Sequence, residues 1–382
     1  MSGGWQAALE RWSKAGLLDA AAAARIRAWE EEHGGEAGRS RLALIAFAFG
    51  ALLLTAGVLL FVAAHWDRLA PGGRFALVLA MIAVLHAGGA LAARSSAGLS
   101  AALHAAGTGA LGAGIFLSGQ IFHMAEHWPG ALMLWSFGAA VGVWLLRQWP
   151  QVLWLAVLAP AWLWGEWVEA QPPFGAWRGT SPAAVGAFLF ACVYLAASPS
   201  GSDARWRRAL AWLGAIALIP AAFCLGAAEG WGRFDLPGWE RPQIAPFALV
   251  IAWTLATVLP VALAWFLRGR DTAWLLVALA WAIVVTQVNT SSDAGELGLY
   301  ALLALGASGI VLWGMKDQQR LAINVGVLGF AVAVLSFYFS SVFDKLGRAF
   351  GLIGIGILFI GGGWLLERMR RRLVGRIARG GA

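Results

Sequence analysis

Five of the six histidines in the chain fall between residues 65 and 127, most of them beside other groups that can hold a proton or a metal ion. His65-Trp66-Asp67-Arg68 closes one apolar run. Gln120-Ile121-Phe122-His123 closes another and is followed by Glu126-His127-Trp128. On a helix continuing past Met124, His123 and His127 would stand at i and i+4 on one face. Asp67 or Glu126 would then complete a set of two histidines and a carboxylate, which zinc accepts. The same residues also suit a membrane surface, where amphipathic side chains keep an apolar body in lipid and a polar tip in water. They suit equally a hydrogen-bonded cluster joining two span ends. The candidate polar cluster is therefore His65, Trp66, Asp67, Arg68, Gln120, His123, Glu126 and His127, with His123, His127 and Asp67 as its metal option. No other cofactor is implied. His86 and His104, inside apolar runs, are expected to hydrogen-bond between helices rather than to bind a metal.

No motif of covalent chemistry is present. The sequence has no P-loop, no His-Glu-x-x-His, no Gly-x-Ser-x-Gly and no dinucleotide fingerprint. No Asp, Glu, Lys or Arg occupies the central part of any apolar run, where ion-coupled carriers usually place one. Deep polar groups are few: Thr55, His86, Thr254, Thr257 and some others. Cys192 and Cys224 show neither metal-ligand nor disulfide spacing, and are expected to be packed thiols.

The elements that must position these residues follow from composition. Of 382 residues, 60% are hydrophobic and 13% are charged, against about 45–50% and 25% in ordinary soluble domains. So few ionised groups cannot cover so much apolar surface in water, which excludes a typical soluble enzyme, a disulfide scaffold and a disordered chain. Twelve apolar runs recur at 42–64, 74–93, 100–121, 129–146, 152–168, 183–198, 209–228, 246–267, 272–288, 295–314, 321–340 and 347–366. Each is near the length that crosses a hydrocarbon core about 30 Å thick; those at 152–168, 183–198 and 272–288 are the shortest. The expectation is an all-α polytopic bundle of about twelve spans.

Charge sets the orientation. With twelve crossings and a cytoplasmic N-terminus, 21 of the 28 Lys and Arg fall on the inner side and seven on the outer, as the positive-inside rule requires. The net charge of +8 is therefore a topology signal and not the footprint of a nucleic-acid partner. Both termini are expected in the cytoplasm, and the basic tail Arg368–Arg379 is expected to be drawn to anionic lipid. About forty mixed polar residues precede the first run, unlike a secretory signal, so that run is expected to remain as an anchor.

Three blocks result. Residues 1–41 are expected to form a small cytoplasmic helical hairpin. Trp5, Leu9 and Trp12 share one helical face, Ala15-Gly16 interrupts, and Asp19 caps a second helix that carries Ile26 and Trp29 and stops near Gly34-Gly35. This hairpin packs on itself, lies at the membrane surface or docks a protein partner. Residues 42–150 hold four spans, and residues 151–382 about eight and the basic tail. Pro129, Pro182 and Pro246 mark span starts; Pro160, Pro220 and Pro260 fall within spans, where kinks are expected. Outer loops at 169–182 and 229–245 are rich in Trp, Pro and Gly and are expected at headgroup level. In 100–121, Ala106, Ala110, Gly114 and Ser118 repeat every four residues, while Gly107, Gly109 and Gly112 thin the other sides. That pattern lets helix backbones approach closely.

The stretch Trp12-Ser-Lys-Ala-Gly-Leu-Leu-Asp19 with its following Ala-rich helix, Phe61-Val-Ala-Ala-His-Trp-Asp67 and Gly119-Gln-Ile-Phe-His123 resemble the bacterial predicted-membrane-protein family called domain of unknown function 2157. The resemblance covers about residues 5–150. A looser likeness follows at Asn324, Tyr338-Phe339, the glycine-rich last run and Glu367-Arg368, while 151–290 agrees in hydropathy alone. The resemblance implies a bacterial cytoplasmic membrane location and no known activity. Two kinds of function are expected: a non-enzymatic envelope protein binding a lipid or protein partner, or a transporter or facilitator for a neutral or amphipathic solute. A metal-dependent membrane enzyme at the outer cluster is a weaker third.

Overall fold

The computed structural model describes residues 9–29 (11 and 14 apart), 46, 49, 50, 53, 57, 60, 70–122, 127–170, 181–198, 204–227, 245–269, 271–290, 292–342, 360, 361 and 364. The side chains of 120–122, 293, 341 and 342 fall outside that set. The spans expected at 42–64 and 347–366, the loops at 169–182 and 229–245 and the tail Arg368–Arg379 lie wholly or largely outside the described residues.

Every regular element among the described residues is helical. In order they are α1 (Pro71–Ala92), α2 (Ala97–Phe122), α3 (Trp128–Leu146), α4 (Trp149–Glu169), α5 (Ser181–Leu195), α6 (Arg205–Ala227), α7 (Pro246–Arg268), α8 (Trp274–Thr286), α9 (Asp293–Lys316) and α10 (Arg320–Phe337). One π-helical turn, Tyr338–Val342, continues α10. Pro71, Pro129 and Pro246 open their helices, where the missing N–H has no helical partner to lose.

Seven of these helices, α1, α2, α3, α6, α7, α9 and α10, are long and apolar enough to cross a membrane. Their outward surfaces agree. Phe266 is 78% exposed, Ile216 71%, Phe247 70% and Val84 69%. Such continuous apolar surface is tolerable only where lipid is the solvent. Seven of the twelve expected spans thus stand as long apolar helices among the described residues. α4 has the length but carries Gln151, Glu166 and Glu169. α5 and α8 are apolar but have 15 and 13 residues, or about 22 and 20 Å at 1.5 Å per residue.

Near the N-terminus, Gly16 (φ 69°) ends a first helical stretch, and Leu17 N–H bonds back to Trp12 O at 3.0 Å. Asp19 then caps residues 20–29, its Oδ1 accepting from Ala22 N–H at 2.5 Å, which satisfies an amide that the first turn leaves unpaired.

The chain divides into two compact units, 1–155 and 156–382. In the first, the small-residue stripe of α2 packs on α1. Ala110 is fully buried against Met81 and Leu85, with Ile82, Leu103 and Ala106 around them. A Cβ at Gly114 would lie 2.8 Å from Val78, so the helix contact there depends on its absence. Gly107, Gly109 and Gly112 each receive an aromatic ring, those of His86, Trp154 and Trp135.

In the second unit α5 is the central helix. Val185, Leu189 and Leu195 are fully buried, and α6, α7 and α8 pack around it. Gly214 of α6 lies against the backbone of Ala191, Tyr194 and Leu195, and Gly186 of α5 lies against Ala256 of α7. Pro260 leaves the Ala256 carbonyl, beside Gly186, without its helical donor. Cys192 is buried, but Cys224 is exposed, which corrects the expectation that both thiols are packed. Trp212, Ile216, Pro220 and Cys224 recur every four residues as the outward stripe of α6, so the helical period turns Cys224 away from the core.

Candidate functional site

Three groupings of chemically capable residues call for comparison. The sequence singled out the first. His65, Trp66, Asp67, Arg68, His123 and Glu126 lie outside the described residues, and of Gln120 only the helical backbone is described. His127 is exposed at the N-cap of α3, with a non-helical backbone (φ −73°, ψ 89°). Among the described residues no three His, Cys, Asp or Glu side chains converge as a metal site would need.

The second grouping is a polar seam inside the first unit. His86 of α1 and His104 of α2 meet Nδ1 to Nδ1 at 3.0 Å, as expected of the two mid-run histidines. One turn further along α2, the Thr108 hydroxyl lies 2.8 Å from Gln151 Oε1 and 3.1 Å from the His104 carbonyl. Gln148 donates to Ser100 Oγ at 3.1 Å. Trp135 and Trp154 donate their indole N–H to the carbonyls of Thr108 (2.7 Å) and Ala105 (3.1 Å). These bonds join α1, α3 and the start of α4 to α2, while Gln148 Oε1 and Gln151 Nε2 are buried without a partner. The seam is glue between helices. Gln148 and Gln151 escaped sequence reading because a glutamine at a span start reads as an interfacial residue; only the tertiary fold turns Gln151 inward, where it is fully buried.

The third grouping, in the second unit, is a half-open cavity of about 510 Å³ lined by α5, α6, α8, α9 and α10. Phe188 and Trp281 stand together in its wall with ring centroids 5.0 Å apart, and Trp274 and Trp313 pair at 5.2 Å. The Trp281 indole N–H is spent on Leu302 O at 3.1 Å, and that of Trp274 on Asp271 O at 3.0 Å. Both indoles thus use their one donor on backbone. The remaining lining is Leu, Ile, Val, Ala, Phe, Gly and the Cys192 thiol, with no charged or hydroxyl side chain. Glycines make part of the room: Gly306, Gly309, Gly326 and Gly329 line it on α9 and α10. Such a site can hold an apolar molecule, but has no acid, base or electrophile placed for a reaction.

Ionic residues border the cavity at one end. The Arg268 guanidinium lies over the Trp313 ring, 5.8 Å from its centroid, and pairs with Asp317 at 2.5 Å and Asp271 at 2.9 Å. Arg268 and Asp317 are about nine-tenths buried; Asp271 is 62% exposed. The same end caps α5. Gln319 Nε2 donates to Leu195 O at 2.8 Å, Arg268 to Ala196 O at 3.5 Å and Arg207 to Ala197 O at 3.2 Å. The end of this 15-residue helix and the turn after it thus have carbonyls met by donors from α6, α7 and the start of α10, as buried helix ends require. Nothing in the spacing of these residues announced the arrangement.

Residues 10–152 match the family described as "Predicted membrane protein (DUF2157)". The match agrees with the resemblance carried by residues 5–150, and it lies within the first unit, so the polar seam belongs to the family-like part. The cavity, in residues 188–329, lies beyond it. No curated protein and no solved structure matches the chain.

Proposed function

We propose that this multi-pass protein is an inner-membrane protein of the bacterial envelope that holds a lipidic molecule within its C-terminal helices and performs no covalent chemistry. The cavity carries the reading. It is wholly apolar, it is walled by membrane-type helices, and lipid is the medium in which those helices are stable. Twelve crossings with both termini in the cytoplasm complete the proposed topology, and the hairpin expected over residues 1–41 is its dock for a protein partner.

Filling the cavity tests this. Ala222 and Ala278 both line it, so Ala278→Phe is expected to fill part of it with a ring. Protein purified in mild detergent is expected to carry co-extracted lipid by native mass spectrometry, and Ala278→Phe to lose most of it. Wild-type protein without lipid, or a variant with an undiminished load, would overturn the reading. Accessibility of single cysteines at Ser95, Asp271 and Asn289 tests the topology. The first two are expected to react from the cytoplasmic face and the third from the outer one.

A further inference from the structure

We infer that the occupant is an anionic glycerophospholipid taken from the leaflet at the Arg268 end, with one acyl chain in the cavity and its phosphate among the basic side chains there. This rests on the cavity being a lipid site, and adds the headgroup and the leaflet.

Depth limits the occupant. Along α9 the lining runs from Leu302 to Trp313, eleven steps or about 16 Å at 1.5 Å per residue. A hydrocarbon core is about 30 Å thick, so the cavity spans about one leaflet. That is the reach of a single acyl chain and not of a molecule crossing both leaflets.

Polarity along that length orients it. Trp274 and Trp313 stand at the end beside Arg268, and Phe188, Trp281 and Leu302 are further in, with no polar side chain among the lining. Paired indoles between an apolar slot and a charged rim are the usual furniture of the headgroup boundary. A polar head thus has one end at which to rest.

Charge selects the head. The helix ends meeting there supply Arg205, Arg207, Arg208, Arg268, Lys316 and Arg320 against Asp271 and Asp317. Both carboxylates pair with Arg268. Among the described residues the surrounding excess is positive, with Arg205, Lys316 and Arg320 exposed. That field favours a phosphodiester with net negative charge over a zwitterionic or uncharged head.

The test offers the full-length protein an equimolar mixture of phosphatidylglycerol and phosphatidylcholine with identical acyl chains, and identifies retained lipid by native mass spectrometry. Phosphatidylglycerol is expected to be retained in excess, and Lys316→Gln with Arg320→Gln to reduce that excess by about fivefold per charge. Ala278→Phe, and independently Ala222→Leu, are expected to abolish retention of both lipids while the protein stays monodisperse. Retention without headgroup preference, or a preference unchanged in the Lys316→Gln/Arg320→Gln variant, would overturn the anionic assignment and leave the lipid site standing. No retention by wild type, or retention indifferent to both cavity-filling variants, would overturn the two together.

Discussion

The imidazoles of His86 and His104 meet at 3.0 Å, and each ring lies over a glycine three residues along from the other histidine. A Cβ at Gly89 would come within 2.8 Å of the His104 ring, and one at Gly107 within 2.8 Å of the His86 ring. The two neighbouring helices therefore present the same His-x-x-Gly unit to each other. Each supplies the ring that fills the notch in its partner. With Nδ1 facing Nδ1, one imidazole donates and the other accepts, so the contact is polar and steric at once.

That dual character gives a testable coupling. His86→Leu leaves His104 without its partner in a dry interface, and His104→Leu does the reverse, so each single variant is expected to lower the unfolding temperature in detergent. The double variant is expected to lose less than the sum, with a coupling energy of about 0.6–2 kcal/mol for a hydrogen bond between membrane helices. Strict additivity would show that the contact is only packing.

Glycine positions differ sharply in what they tolerate. Gly107→Ala forces the His86 ring aside and is expected to cost about 1–3 kcal/mol, the usual penalty of overpacking. Gly298→Ala, in α9, meets nothing within 4 Å and is expected to be neutral or to gain up to about 1 kcal/mol from helix propensity. Parallel thermal melts decide between these outcomes; similar losses at both sites would contradict the packing described.

The ion pairs of Arg268 are expected to split by burial. Asp271 is largely exposed, so Asp271→Asn is expected to cost less than about 1 kcal/mol. Arg268→Leu removes the ion pair of the nine-tenths buried Asp317 carboxylate and is expected to cost more, up to about 3–5 kcal/mol. Equal losses for Asp271→Asn and Arg268→Leu in a denaturant series would refute the distinction.

Much of this architecture was legible because lipid imposes simple rules. The apolar runs at 74–93, 209–228 and 246–267 became α1, α6 and α7 with ends shifted by a few residues, since length and hydropathy suffice for a helix that faces acyl chains. The period of four in 106–118 marked the α1 contact, because only small side chains allow that approach. The short run at 183–198 was different. A 15-residue helix is viable only because Gln319, Arg268 and Arg207, from elements up to 124 residues away, satisfy its last carbonyls. The cavity was equally hidden. It is space left between five helices, and no residue type or spacing encodes a void. The histidine-rich cluster at 65–68 and 120–127, so prominent in the sequence, lies mostly outside the described residues.

The capping of α5 supplies the last expectation. Gln319→Met keeps the length of the side chain but removes the donor to Leu195 O. Leu195 is fully buried, so loss of the donor is expected to cost about 1–3 kcal/mol. The loss is expected to be local before it is global, because the final turn of α5 is held by these donors rather than by helix beyond it. Cys192 lies one turn before that end and is buried. In a Cys224→Ser background, Gln319→Met is therefore expected to speed alkylation of Cys192 by a small maleimide, whereas Ser308→Ala, removing a hydroxyl that bonds within its own helix to Ala304 O at 2.8 Å, is expected to leave the rate unchanged. An alkylation rate insensitive to Gln319→Met, with an unchanged melting temperature, would mean that the last turn of α5 is held by packing alone.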